Sequence, residues 1–494
     1  MGWYDKFLAG TFPDYWGKRR RALAAQNAYE AETQTRVSKP KRTKVGPNQA
    51  TRTAPRSFRE LARHMEENQD IADHALNILV ANIVSGGLMP QPMVLDNNGE
   101  PLESVNEQIE DLYTRWARHP EVTNTLDDAM AQQLSCRTWL RDGEVLMQHI
   151  VGPKSGLTHG LESIAYSYEL IEPDLLPLDD EYRALSSSSR ALRTSKIRQG
   201  IEFNQWNRPV AYHLLKQHPG ELDEVMRDSL SAETKRVPAD RMSHIKLVKR
   251  INQARGVSIF HNVIRRLDDI QEIEESERVA ARVAAAIAAV IIKGEPMVYQ
   301  APDSDQEGAY REIDIEPGMI FDDLQPGEDV RPVGSSRPNT EIIPFIGAQL
   351  KRAAGGLNVS DSSLSKDYDG TYSAQRQELV EQHRLYTPLW HQFVTQSELP
   401  KYTNFLRAIQ LSGALVLPGN VNRDTLEDVV YTQPVIPWID PLKEADGWEK
   451  LILIGAETKQ NARRMRGHNP RQIERQLSRE EPLQPQESNG NEMV

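Results

Sequence analysis

The chain has 494 residues, of which 38% are hydrophobic and 26% charged, the composition of an ordinary globular protein. Single hydrophobic cores stop growing beyond about 250–300 residues, so several domain-sized units are expected. The one cysteine, Cys136, excludes an intramolecular disulfide and any zinc site that needs two or more thiolates. The most apolar stretch, residues 283–292, is far shorter than the ~20 residues that span a bilayer, so we expect no membrane association and a cytoplasmic site of synthesis.

Charge is distributed unevenly along the chain. The formal net charge is −12, which excludes a surface that binds nucleic acid everywhere. Residues 1–57 nevertheless hold 12 Lys and Arg against 4 Asp and Glu, a local charge of +8. We predict a flexible basic arm over 1–57, which is either a soluble terminus or an anchor on nucleic acid or an acidic partner. The polar, Pro- and Gln-rich segment 481–494 is predicted to be disordered.

The first two hundred residues after the arm predict mixed helix and strand. Residues 57–84 have apolar side chains at helical spacing, with Ser57 and Glu60 at capping-box positions, and Gly86-Gly87 follow as a stop signal. Two more helices are predicted at 104–119 and 121–140, followed by a turn with glycine at 141–143. A mostly β region is predicted over 144–249, with a hairpin turn at 207–209. The pattern indicates an α+β class.

A long helix is predicted next, over 258–292. Its first half has one narrow apolar stripe, and its second half, RVAARVAAAIAAVII, is dominated by alanine. A helix that is apolar nearly all round must be covered on several sides. A bundle within one chain and a ring of identical helices from several chains satisfy this requirement equally well.

The last part of the chain predicts a small β module and then helices. Two Pro-Gly turns, at 317–318 and 326–327, bracket a short strand in the module. A helix over 341–355 is predicted to end at Gly355-Gly356, and a polar loop follows it. The remaining helices are predicted from Ser373 into the 390s, onward through Leu411, and at 441–455 and 458–480.

Catalytic motifs were tested against the chemistry that each requires. The string GPKSG at 152–156 lacks the glycine immediately before Lys154 of a phosphate-binding loop, and no helix carries two histidines four residues apart with a glutamate between them. Asp367-Tyr368-Asp369-Gly370 puts glycine at the fourth rather than the sixth position of a calcium loop. We therefore expect no catalytic residue, metal or cofactor. Cys136 is predicted to be a buried inert thiol and His244 a structural histidine.

A metal-dependent nuclease or other hydrolase stays open as an alternative. The acidic pairs Asp268-Asp269 and Asp322-Asp323 are of the residue type that binds two metals. Adjacent residues on a helix or strand do not face each other, however, and such runs are usually solvated faces. A minor capsid protein without a channel is a third interpretation.

Nine segments follow one another in a recognisable order: ANIVSGG (81–87), RTWLRDGEVLM (137–147), ELIEPDLL (169–176), IRQGIEFNQWNRPVAYHLL (197–215), RVPADRMSHI (236–245), ARGVSIFHNVIRRLDDI (254–270), IEPGMIFDDLQPGEDV (315–330), LKRAAGGLNVSDSSLSKDYDGTYSAQRQ (350–377) and PWIDPLKEA (437–445). Together they resemble the lambda-type portal proteins of tailed bacteriophages and their prophages, over most of the chain. The string DYDGTYSAQR departs from the Asn-Tyr-Ser-Ser-like pattern of the family, so Gly370-Thr371 are expected to alter the local geometry of that loop. The basic arm and the extreme tail match nothing in the family.

The resemblance implies a portal-protein fold that assembles into a ring, usually of twelve chains. The implied parts are an α/β wing at 58–257, a stem helix at 258–292, a small β-containing clip at 293–340, a second stem helix at 341–356, a tunnel loop at 357–372, a long wing helix and return at 373–435, and crown helices at 436–480. The ring would stand at one vertex of the capsid of the virion after assembly in the host cytoplasm. Double-stranded DNA would be packaged and ejected through it, with no catalysis by this chain.

The resemblance also implies partners and candidate contact residues. Terminase, through its large subunit, and then head-tail adaptors would dock on the clip, with Asp322, Asp323, Glu328 and Asp329 as candidates. The major capsid protein or scaffold would surround the ring. Contacts with DNA would be transient and non-specific because the duplex must slide. The channel candidates are Lys351, Arg352 and Lys366, and the basic stem candidates are Arg265, Arg266, Arg278 and Arg282.

Overall fold

The computed structural model describes residues 46–161, 163–178, 196–220, 234–286, 290–293, 328–331, 342–435 and 441–480. The chain divides into two compact units, residues 1–50 and 51–494. Most of the predicted basic arm and all of the predicted tail 481–494 lie outside the described residues. The helices of the described part are α1 (Pro47–Asn68), α2 (Asp70–Ile83), α3 (Glu103–Trp116), α4 (Asp128–Asp142), α5 (Ile264–Ala286), α6 (Ile342–Leu357), α7 (Asp361–Ser365), α8 (Tyr372–Phe393), α9 (Leu399–Leu411), α10 (Pro441–Leu453), α11 (Lys459–Met465) and α12 (Pro470–Leu477).

The first predicted helix is wrong at its start and in its continuity. Helix α1 begins at Pro47, within the predicted arm, and Ser57 lies inside the helix rather than at its cap. The backbone turns extended at Gln69, with φ −124° and ψ 114°, and this separates α1 from α2. The side chain of Gln69 donates a hydrogen bond to Asp268 Oδ1 at 2.9 Å. A tertiary contact of this kind leaves no local signal in a sequence.

The strands of the described residues form four small antiparallel sheets. They are β1 (Gln91–Pro92), β2 (Glu144–Val151), β3 (Tyr166–Ile171), β4 (Lys196–Arg198), β5 (Ile201–Phe203), β6 (Pro209–Leu215), β7 (Thr234–Pro238), β8 (Met242–Lys246), β9 (Val290–Lys293), β10 (Glu328–Arg331) and β11 (Val429–Val430). Their orders are β3-β2-β8, β4-β5-β6-β7, β1-β11 and β9-β10. The predicted α+β class is confirmed, and the predicted β region 144–249 begins with strand β2.

Two predicted turns are confirmed. Helix α4 ends at Gly143, whose φ of 87° is the left-handed value that ends a helix, and β2 begins at the next residue. Between β5 and β6, Asn207 adopts φ 59°. The side chain of Asn204 accepts hydrogen bonds from the backbone N–H groups of Trp206 and Arg208, each at 2.9 Å. These bonds close the hairpin that the Asn-Arg-Pro sequence predicted.

The predicted stem helix 258–292 is too long at both ends. Residues Ile259–Asn262 form a 3-10 turn, which Ser258 caps by accepting a hydrogen bond from the N–H of Phe260 at 3.2 Å. Helix α5 ends at Ala286, and Val290–Lys293 is a strand paired antiparallel with Glu328–Arg331. The β-branched run Val-Ile-Ile favours a pleated strand over a helix once a partner strand is available. Apart from β9 and β10, the predicted clip lies outside the described residues.

Helix α6 runs through the glycine pair that was expected to stop it. It continues to Leu357, and Asn358 with φ 58° ends it. A Cβ added to Gly356 would lie 2.5 Å from Val263 Cγ1. This glycine therefore allows close packing against the segment that leads into α5, rather than terminating a helix.

The helices after the loop follow the prediction, with two local differences. Helix α8 continues into α9 through a π-helical turn at Val394–Glu398. The predicted helix 458–480 is two helices, α11 and α12. Gly467 with φ 78° and the capping side chain of Asn469, which accepts from Arg471 N at 3.0 Å, separate them. None of the described helices is both long and apolar enough to span a bilayer.

In the part of the chain that the structure describes, three clusters of buried residues form the core. The first joins the helices around the base of α5 and includes Trp139, Phe260, Leu357 and Phe393. The second packs aromatic rings of α3, β3 and α9, with Trp116 stacked on Tyr166 at 5.1 Å between ring centroids. The third lies against the four-stranded sheet. The base of α5 is thus fixed in a core that α2, α4, α6 and α8 share.

Candidate functional site

Helices α5 and α6 form an antiparallel pair. At one end of the pair Gly356 lies against Val263. At the other end Ile342 lines the same groove as Arg278. Apolar side chains of both helices, Leu267 and Ile270 on α5 and Ile346 on α6, contribute to the contact. The narrow apolar stripe predicted for the first half of α5 is therefore the surface that packs on α6 and the core.

A buried ion pair joins the base of this helix pair to the sheets. Arg255, four residues before the 3-10 turn, and Glu144, the first residue of β2, are both 0% exposed. The guanidinium approaches Glu144 Oε1 at 2.6 Å and also donates to the backbone carbonyls of Leu176, at 2.8 Å, and Pro173, at 3.1 Å. Burial opposes ionisation of Glu144, but the charge of Arg255 and hydrogen bonds from His244 and Arg255 outweigh it, so the pKa of Glu144 lies well below its usual value.

Two glycines let the backbones beside this ion pair meet. A Cβ on Gly256 would lie 1.9 Å from the carbonyl oxygen of Gly143, and a Cβ on Gly143 would lie 2.3 Å from the carbonyl carbon of Val257. The N–H of Gly256 donates to Glu144 Oε2 at 2.8 Å. The segments RDGE (141–144) and ARGVS (254–258) are therefore one structural unit, which we name the stem lock.

A second buried cluster surrounds the π-helical turn. Lys401 Nζ lies 2.7 Å from Asp128 Oδ1 and 2.6 Å from Glu398 Oε2, with the ammonium fully buried. Tyr113 and Tyr168 each donate to Asp128 at 2.9 Å. Burial opposes the charge of Lys401, but the two carboxylates outweigh it and raise its pKa, whereas burial raises the pKa of Glu398. This cluster was missed in the sequence, because its charged partners Asp128 and Lys401 are separated by 273 positions.

The predicted tunnel loop is partly helical. Within 357–372, Ser360 caps α7 by accepting a hydrogen bond from Ser363 N at 3.1 Å. Ser362 Oγ donates to Glu378 Oε2 at 2.8 Å, which ties α7 to α8. The loop 366–371 begins at Lys366 in a left-handed conformation, φ 60°, and Thr371 caps α8. Gly370 does not adopt a left-handed φ. A Cβ added to Gly370 would lie 3.6 Å from Cγ of Gln375, an ordinary van der Waals contact.

The three channel candidates, Lys351, Arg352 and Lys366, are exposed. Lys351 lies 3.6 Å from Asp361 and lines a groove beside α6. Arg352, the next residue of the helix, points to a different side, and Lys366 follows α7. The exposed pair of Lys351 and Asp361 contributes at most about 1 kcal/mol, because water screens it.

The basic stem candidates lie along α5. Arg265, Arg278 and Arg282 are exposed and Arg266 is half-buried. Within the ranges that the structure describes, none of the four has an ion-pair partner. Of the clip candidates, Glu328 and Asp329 lie on β10, opposite Lys293 and Ile292 of β9. Asp322 and Asp323 lie outside the described residues.

The described carboxylates give the nuclease interpretation little support. Asp268 accepts its hydrogen bond from Gln69, whereas Asp269 is exposed on another side of α5, so the two do not converge. Glu172, Asp174 and His218 have potential ligand atoms within 4.8 Å of one another. The guanidinium groups of Arg59 and Arg63 already lie 3.0 and 2.6 Å from the carboxylate of Asp174, respectively. A cation at this trio would have to compete with two arginines.

The two residues predicted to be structural are buried. Cys136 is 0% exposed, and burial raises the pKa of its thiol, so it stays protonated and unreactive. Burial lowers the pKa of His244 to about 4, and its Nε2 lies 2.9 Å from Glu144 Oε2. His244 therefore acts as a neutral hydrogen-bonding partner in the stem lock.

The described residues define an α+β protein whose buried charges join structural elements around an antiparallel helix pair. A family model described as "Phage portal protein, lambda family" matches residues 33–389. The chain belongs to this family of phage portal proteins, as the order of its segments predicted.

The chain is 24% identical over 436 residues to a protein named "Probable portal protein" from Halomonas phage phiHAP-1, a match that covers 85% of this chain and 79% of the relative. Among solved structures, it is similar to a chain in the neck of a native GTA particle computed with C12 symmetry, with 14% identity, a TM-score of 0.49 and coverage of 84% of this chain and 94% of the other. A chain in the virion of a native gene transfer agent particle gives 14% identity, a TM-score of 0.47 and coverage of 84% and 95%.

Proposed function

We propose that copies of this chain form a ring at one vertex of a phage capsid, and that double-stranded DNA is packaged and ejected through its centre. The observation that carries the ring is the exposure of large apolar side chains on the helix pair: Val279 is 49% exposed, Phe345 49% and Ile343 75%. Apolar surface on a helix pair is stabilised when another chain covers it. The ring is expected to contain twelve copies, as is usual in the resembled family.

The proposed parts keep their predicted positions, with the structural corrections above. The wing is the α/β region around β2, the stem is α5 with α6, and the clip contains β9 and β10. The tunnel loop runs from α6 to α8, and the crown contains α10–α12. The ring would be part of the virion, assembled in the host cytoplasm, with capsid protein or scaffold around it. The chain would act without catalysis, since its family is structural; its buried charges serve packing.

Native mass spectrometry of the purified protein tests the ring. We expect a closed assembly whose mass is a whole multiple of the 56.0-kDa chain. Monomers of 56.0 kDa at every protein concentration would refute the proposed function. Large assemblies without a central channel in electron micrographs would favour a minor capsid protein, and metal-stimulated DNA cleavage by the monomer would favour a nuclease.

Arg352 and Lys366 are proposed to make weak phosphate contacts in the channel. Reversing both charges, Arg352→Glu with Lys366→Glu, is expected to lower DNA packaging several-fold while rings still form, because repeated cationic contacts attract the duplex. The matched control reverses two exposed cations of the wing, Lys154→Glu with Arg208→Glu, for the same change in net charge. Equal packaging by the channel variant and the control would refute the contact.

The clip is proposed to meet the large subunit of terminase and later a head-tail adaptor. Its acidic residues Asp322, Asp323, Glu328 and Asp329 offer a negative surface for basic partner residues. Replacing all four with their amides is expected to weaken capture of terminase by assembled rings. Unchanged capture would reject this assignment and leave the ring itself unaffected.

A further inference from the structure

Helix α6 has different surroundings on its two flanks. On one flank Ile342 and Ile346 line a groove together with α5 of the same chain. On the other flank Ile343, Gly347 and Lys351, spaced four residues apart, line a second groove of about 590 Å³. The opposite wall of this second groove is formed by α7, the loop 366–371 and the start of α8. Because α6 stands between them, α5 of the same chain does not reach the second groove.

Helix α5 has an unpartnered outward face. Its inward face is buried on α6 and the core through Leu267 and Ile270. The outward face consists of exposed residues at alternating spacings of four and three: Arg265, Asp269, Glu272, Ser276 and Val279. This spacing is the one that keeps a helix in contact with another helix over several turns. Nothing in the described part of the same chain covers this face.

The outward face of α5 and the second groove are complementary in order. The antiparallel pairing puts Val263 level with Gly356 and Arg278 near the level of Ile342. Reading along the stem away from its base, α5 presents a cation, two acids, then a small and an apolar residue: Arg265, Asp269, Glu272, Ser276 and Val279. The groove presents an acid, a cation, then a small and an apolar residue: Asp361, Lys351, Gly347 and Ile343. By this pairing, Lys351, Gly347 and Ile343 each lie within about one 5.4-Å helical turn of the level of their counterparts on α5.

We propose that the second groove receives α5 of a neighbouring copy of this chain. Arg265 would meet Asp361, Lys351 would meet Asp269 and Glu272, and Ile343 would pack against Ser276 and Val279. The inference rests on the proposed ring and specifies which two surfaces build it. Such a contact joins unlike surfaces, which is the type that closes into rings. It assigns Lys351 to the contact between subunits and leaves Arg352 and Lys366 for the channel.

Disulfide trapping tests the contact directly. Ile343→Cys is combined with Ser276→Cys, or in a second variant with Val279→Cys, in one chain. Mild oxidation of assembled rings is expected to give a ladder of covalent multimers on a denaturing gel, because bridged cysteines need Cβ atoms about 3.5–4.5 Å apart. The native Cys136 is 0% exposed and does not interfere. The control combines Val279→Cys with Ile251→Cys, a residue 90% exposed in the wing, and is expected to give no ladder.

Charge exchange gives an independent test. Lys351→Glu is expected to raise the protein concentration needed for assembly several-fold, and Asp269→Lys with Glu272→Lys to do the same. The triple variant, which exchanges the charges, is expected to recover assembly. Rings of normal mass that give no ladder with either cysteine pair and no recovery on exchange would overturn the contact while the ring stands. Fast-migrating monomers with an internal disulfide would overturn it as well, and the absence of rings from the unmodified protein would overturn the proposed function.

Discussion

Arg255→Met is expected to lower the free energy of unfolding by about 3–5 kcal/mol, the cost of removing one partner of a buried ion pair. Methionine has a similar length but no charge, so Glu144 stays charged and 0% exposed after the substitution. The guanidinium of Arg59 then remains as its ion-pair partner, at the longer distance of 3.8 Å. It also removes the guanidinium donor from the backbone carbonyl of Leu176, at 2.8 Å. Urea unfolding at one fixed protein concentration measures the loss, since assembly makes apparent stability depend on concentration.

The matched control for this variant is Arg56→Met. Arg56 pairs with Glu60 one helical turn away at 3.2 Å, and both side chains are largely exposed, at 68% and 67%. Exposed pairs of this spacing contribute about 0.3–0.5 kcal/mol, so the control should remain near the unmodified protein. If the two variants lost equal stability, the stem lock would have no special energetic role.

Gly256→Ala is expected to be the second strongly destabilising change, with a loss of about 3 kcal/mol or more. The added methyl would stand 1.9 Å from the carbonyl oxygen of Gly143 and 2.6 Å from its carbonyl carbon. Both atoms belong to the backbone, so no side-chain rotation relieves the clash. The backbone of RDGE and ARGVS would have to separate, and the hydrogen bond from Gly256 N to Glu144 would lengthen.

Gly355→Ala provides the opposite control. Gly355 lies inside α6, it is exposed, and an added Cβ would meet nothing within 4 Å. Alanine is favoured over glycine inside a helix by roughly 0.5–1 kcal/mol, so this variant is expected to gain stability. A loss at position 355 as large as at position 256 would contradict the role given to close backbone contact.

Local features of the fold were predictable from the sequence. The turn Arg141-Asp142-Gly143 and the strand after it followed from a helix, a glycine and an apolar run. The limits of α5 and α1 did not, because tertiary contacts determine them. Val290–Lys293 is a strand because Glu328–Arg331 pairs with it, and α1 separates from α2 where Gln69 contacts Asp268. The pair Gly355-Gly356 predicts a helix stop, whereas the structure gives Gly356 a role in close packing on Val263.

The buried charges were less accessible to sequence reasoning. Glu144 and Arg255 are 111 positions apart, and Lys401 and Asp128 are 273 apart, so no spacing rule connects them. A signal was present in ARGVS, where Arg255 stands shortly before a helix start with no acid nearby in the sequence. The exposed cations, by contrast, were recognisable individually. The side of α6 on which Lys351 or Arg352 lies depends on how α6 is rotated about its axis relative to α5.

The opposed flanks of α6 have a geometric consequence. When two unlike surfaces of identical copies join head to tail, the number of copies in a closed assembly is determined by the angle between those surfaces. That angle depends on how rigidly α5 and α6 are held against the sheets, and therefore on Glu144, Arg255 and the two glycines beside them. Symmetry in such an assembly would be set at the base of the stem, at a distance from the contact itself.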